Sequence, residues 1–121
     1  MRSLIIILLT SFLPLPALAE DGLLHLFAGC TGRLSAQMEH HWLMGRPAEE
    51  IQAQRSAMIT LLDAIQPPDQ GKHVLQIRIG AKFAHAALLQ RATFNEDASD
   101  ADWAAARAEV ELAHCASLVL S

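Results

Sequence analysis

The chain has 121 residues, of which 52% are hydrophobic and 18% charged, with a formal net charge of −4. A chain of this length holds a single domain, and one this apolar, with five Pro and six Gly, is neither disordered nor collagenous. The acidic balance excludes a nucleic-acid binder, which needs a basic face.

The N-terminus reads as an address. Arg2 precedes an apolar run from Leu4 to Leu15, Pro14 and Pro16 close the run, and Ala17-Leu18-Ala19 come before Glu20-Asp21. A basic start, a short apolar stretch and an Ala-x-Ala site predict a secretory signal peptide over residues 1–19, cut between Ala19 and Glu20. The run is shorter than the ~20 apolar residues of a membrane span. Leu26-Phe27-Ala28-Gly29-Cys30 resembles a lipoprotein box only in part, because Phe27 stands where Leu is expected and acidic residues interrupt the apolar run. The domain left, residues 20–121, is predicted to be periplasmic or secreted and not membrane-embedded.

That domain reads as all-α. Helical spacing of apolar residues runs almost throughout, and period-two alternation is absent. Helix 1 is expected over 22–44, ended by Gly45, with Gly29 and Gly32 as weak points where it could bend. Pro47 fits the first position of helix 2, over 47–66, which stops at Pro67-Pro68. Asp69 is the expected cap of helix 3, over 70–93, with Val74, Ile77, Ala81, Ala84 and Leu88 as its core line. Ser99 with Asp102 resembles a capping box for helix 4, over 100–120. Short connections predict an antiparallel up-down-up-down four-helix bundle.

Cys30 and Cys115 are the chain's two cysteines. Exported proteins usually pair such cysteines, and the bundle places the start of helix 1 beside the end of helix 4, so a Cys30–Cys115 disulfide is expected. On the chain-entropy account, closing so long a loop contributes about 4–5 kcal/mol. No Cys-x-x-Cys occurs, which argues against thioredoxin-type redox chemistry and covalent haem.

Helical geometry sorts the six histidines by face. His25, His40, His73 and His114 point away from the apolar lines. His41 falls on the core line of helix 1, seven residues beyond Leu34, and His85 sits at the core edge of helix 3. With Met38 and Met44 flanking His41 at three-residue spacing, the set His41, His85, Met38 and Met44 offers soft ligands for copper or a non-covalent haem. The plainer reading is that Met fills core gaps and an inward His finds a hydrogen-bond partner. A di-iron bundle needs two Glu-x-x-His pairs, and Glu111-x-x-His114, expected to face outward, does not meet that requirement.

A basic seam is the other unusual feature. Arg55 interrupts the core line of helix 2. On helix 3, Arg78, Lys82 and His85 lie between two apolar flanks, Val74, Ala81 and Leu88 on one side and Leu75, Ile79, Phe83 and Ala86 on the other. A surface helix has one apolar face. Basic stems can snorkel over apolar surface, but that leaves Ile79 and Phe83 exposed. Arg78, Ile79, Lys82 and Phe83 are therefore the expected contact for a partner protein, a second copy or an anion.

No nucleophile elbow, phosphate-binding loop or His-Glu-x-x-His occurs. The sequence reads as a small exported, non-enzymatic helical protein that associates with itself or another protein through helix 3 and needs no cofactor. Two alternatives are a copper or haem carrier using His41, and an acid-stress, chaperone-like protein in which a buried neutral His41 loses stability as pH falls.

Overall fold

A computed structural model describes residues 18–120, with side chains from residue 21 onward. Four helices pack together, α1 (Leu18–Leu43), α2 (Glu49–Ile65), α3 (Gly71–Phe94) and α4 (Ala98–Leu120), and there is no strand among the described residues. The expected signal segment lies outside the described residues except for Leu18 and Ala19, which open α1 together with Glu20. No described helix is long and apolar enough to cross a membrane.

The helix ends have separate local causes. Gly45 takes φ +65° after α1, the left-handed conformation that glycine reaches without strain. Arg46 N–H then donates back to the His41 carbonyl at 2.8 Å. Pro47 does not open α2: Ala48 is its N-cap, without a side-chain bond, and the helix begins at Glu49. At the other end Gln66 is extended, as a residue before proline tends to be, and α2 stops at Ile65. Gln70 rather than Asp69 caps α3. The capping box expected at Ser99 is replaced by Asp97, whose carboxylate accepts the backbone N–H groups of Ser99 at 3.0 Å and Asp100 at 3.2 Å, so α4 begins two residues early.

The closest packing is between α1 and α3, which are not consecutive in the chain. Gly32 meets Arg78 and Lys82, Gln37 meets His85, and His40 meets Thr93, so positions along the two helices advance in the same sense. Ala28, Gly32 and Ala36, one turn apart, supply the small surface that allows it. Ala28 joins Leu24, Leu62 and Val74 in one apolar cluster, and Ala36 lies opposite Ala86 and Leu89. At Gly32 an added Cβ would overlap the Arg78 carbonyl oxygen and come within 2.9 Å of Lys82 N. α1 runs unbroken through Gly29 and Gly32, and Gly32 is where α3 seats.

α1 is therefore surrounded, with residues 28–32 all buried. Its other side meets α2 in a second cluster of Cys30, Leu34, Met38, Ala48, Ile51, Met58 and Cys115. Cys30 and Cys115 form the disulfide, with Cα atoms 5.4 Å apart. α4 packs chiefly on α3 and makes slighter contact with α1 and α2, so the bridge ties it to the central helix. α2 and α3 do not pack against one another.

Candidate functional site: a cationic groove and a buried histidine

Because α2 and α3 stay apart, α1 forms the floor of a groove between them. Gly32, Ser35, Met38 and Glu39 line the floor, Arg55 forms one wall, and Leu75, Arg78, Ile79 and Lys82 form the other, around a volume of about 220 Å³. Arg55, Arg78 and Lys82 of the seam read from the sequence are thus brought together, while its fourth member, His85, lies apart in the core. Arg55 Nε–H donates to Ser35 Oγ at 2.7 Å, and Ser35 donates to the Thr31 carbonyl at 2.8 Å, which anchors the guanidinium at the groove wall. Lys82 Nζ lies 2.6 Å from Glu39 Oε1 in an exposed ion pair. Arg78 has no ion-pair partner among the described residues. Three cations thus share the groove with one carboxylate.

Along its rim runs the second apolar strip of α3. Leu75 is 52% exposed, Ile79 45% and Phe83 69%, at four-residue spacing. These values separate the strip from Val74, Ala81, His85 and Leu89 on the inner side, where Val74, His85 and Leu89 are buried.

His85 is not at the edge of the core but inside it, fully buried, while Ala84 on the expected core line is exposed. Its Nε2–H donates to Gln37 Oε1 at 3.0 Å, which leaves Nδ1 as the lone-pair nitrogen. Nδ1 has no hydrogen-bond donor among the described residues and lies 4.0 Å from Glu111 Oε2. Glu111 also meets Arg33 at 3.4 Å and Arg107 at 3.0 Å, so its carboxylate turns inward rather than to solvent. Burial pushes the His85 pKa below 6.5; Glu111 pulls it back upward, and Arg33 and His40 add to the lowering.

His40 and His41 exchange the places expected of them. His40 is buried, with Nε2 3.3 Å from Thr93 Oγ1, because α3 runs along the side of α1 that the sequence left to solvent. Burial first, then Arg46 and His41, lower its pKa. His41 is not in the core; its Nδ1–H donates to the Pro47 carbonyl at 2.7 Å at the exposed end of α1. It shares an open groove with Glu50, but His85 is not part of that lining. Met38 packs in the core with Met58, and Met44 lies past the end of α1, exposed. The four expected metal ligands therefore occupy separate surroundings. No group of three His, Cys, Asp or Glu among the described residues is arranged to hold a metal ion. His25, His73 and His114 are exposed, as expected.

Sequence reasoning missed Gln37, Arg33 and Thr93 as partners of the buried histidines, and Ser35 and Glu39 as members of the groove. A helix packed on more than one side, as α1 is, gives its polar residues no clean periodic signal, and Thr93 is brought in from another helix. No family model, no curated protein and no solved structure matches this chain.

Proposed function

We propose that this chain is a small exported, non-enzymatic protein that acts by holding another protein on the outer side of α3. In this reading residues 1–19 are a cleaved leader, and the four helices follow an up-down-up-down course after it. The observation that carries the reading is the strip Leu75, Ile79 and Phe83, large apolar side chains exposed one turn apart beside a cationic groove. Scattered exposed apolar residues are ordinary, but a contiguous strip edged by polar groups marks an interaction surface. Co-elution and light scattering of the exported protein with its bound partner test it. Ile79→Asp with Phe83→Asp is expected to leave a folded protein without partner, and retention of the partner by that variant contradicts the reading.

A second reading, response to acid, is favoured by His85. A buried neutral ring whose open nitrogen faces a carboxylate is a place where a proton changes the packing of α1, α3 and α4 together. The residue concerned is His85 rather than His41.

A further inference from the structure

Resting on that docking reading, we infer that the partner of the α2–α3 groove is an acidic amphipathic helix of a different protein, its apolar side on Leu75, Ile79 and Phe83 and its carboxylates directed to Arg55, Arg78 and Lys82. Charge complementarity selects this occupant. The chain as a whole is acidic, at −4, yet this groove gathers three cations around the single carboxylate of Glu39. Arg78 has no ion-pair partner among the described residues, and the Arg55 guanidinium is held at the groove by its Nε–H bond to Ser35, with no carboxylate paired to it among the described residues. Guanidinium groups presented in this way bind carboxylates through paired N–H groups.

Size and shape decide how the partner sits. The groove, at about 220 Å³, is smaller than the ~300–1,000 Å³ of sites that engulf a small-molecule ligand. A helix of ~10–12 Å diameter does not enter it. Such a helix lies along the α3 rim and inserts side chains, with apolar residues at i, i+4 and i+8 matching the spacing of Leu75, Ile79 and Phe83. A second copy of this chain in a two-fold contact would set Arg55, Arg78 and Lys82 against their own duplicates, and like charges across an interface oppose association. A flat anionic membrane can reach the rim but not the Ser35 floor.

Fluorescence anisotropy with the disulfide-bonded protein tests this, using two labelled designed helical peptides. Both carry the same Leu stripe, flanked by Glu in one and by Lys in the other. The Glu peptide is expected to bind about tenfold more tightly than the Lys peptide, with affinity falling as salt rises. Arg78→Glu with Lys82→Glu should cost it about tenfold or more. Glu39→Gln, which frees Lys82, should tighten it about two- to threefold, a gain that misfolding cannot imitate. Equal binding of the two peptides, or no gain with Glu39→Gln, overturns the inference. So does preferential binding of anionic phospholipid vesicles, or self-association in light scattering at the same concentration. If Ile79→Asp with Phe83→Asp abolishes binding while the charge variants do not, docking on α3 stands and the acidic partner falls; if neither pair matters, both fall.

Discussion

The two long sides of α3 have much the same composition and opposite fates. The inner side, with Val74, His85 and Leu89, is pressed against α1 so closely that Gly32 has no room for a Cβ. The outer side, with Leu75, Ile79 and Phe83, stays open, and across the groove beside it α2 approaches no nearer than the cationic wall. The difference lies in what each side faces. Ala28, Gly32 and Ala36 give the inner side a small surface to close upon, whereas Arg55, Arg78 and Lys82 would be forced together, largely desolvated, if α2 and α3 closed over the groove. An apolar flank is thus core where its neighbour is small and neutral, and stays open to solvent where its neighbours are like charges.

The contrast can be broken most severely through the disulfide. Cys30→Ser with Cys115→Ser is expected to cost about 3–5 kcal/mol in chemical denaturation, because α4 otherwise rests mainly on α3. Gly32→Ala comes next, at about 1–3 kcal/mol, since the added methyl meets backbone rather than a movable side chain. A stability unchanged by Gly32→Ala would mean that α1 and α3 are not seated as described.

The inner side also carries a pH signature. His85 has its folded pKa lowered from 6.5, so it stays neutral in the native protein where the unfolded chain takes up a proton. Its contribution is complete above pH 6.5, diminishes as pH falls below that value, and levels off once pH passes below the folded pKa. Arg33 and His40 from α1 and Glu111 from α4 shape that slope, with Glu111, itself paired to Arg33 and Arg107, opposing the lowering. His40, also lowered by burial, adds to the loss in the same direction. Denaturation midpoints measured from pH 7.5 downward should fall, and His85→Leu should flatten the curve; an unchanged slope in that variant assigns the effect elsewhere.

Smaller effects are expected at the surface. Asp97→Ala removes the cap of α4 and should cost about 1 kcal/mol, read as a lowered denaturation midpoint. Ile79→Asp and Phe83→Asp on the outer strip should each change stability by less than about 0.5 kcal/mol. A large loss there would turn the strip into core and remove the contrast.

Much of this architecture was readable from spacing. Four helices, the stop at Gly45, the break at Pro67-Pro68 and the Cys30–Cys115 pair follow from residues whose local physics leaves few choices. The basic seam and its apolar rim were also legible, because two apolar flanks on one helix are conspicuous. The histidines were misplaced by one position on α1 and the core centre by about as much on α3. In both cases a helix packed on more than one side offers no single apolar line to count from. Gly32 was read as a weakness since its value depends on α3, far away in sequence. The Glu111 carboxylate was assigned outward because its partners Arg33 and His85 come from two other helices.

The central claim, that the outer side of α3 is a partner surface, is tested most directly by photo-crosslinking in living cells that make the protein. With a photoreactive residue at position 83, the account predicts a single heterologous adduct that disappears on adding Arg78→Glu and Lys82→Glu, and none from exposed position 52 on α2. No adduct from position 83, or one shared equally with position 52, would contradict it.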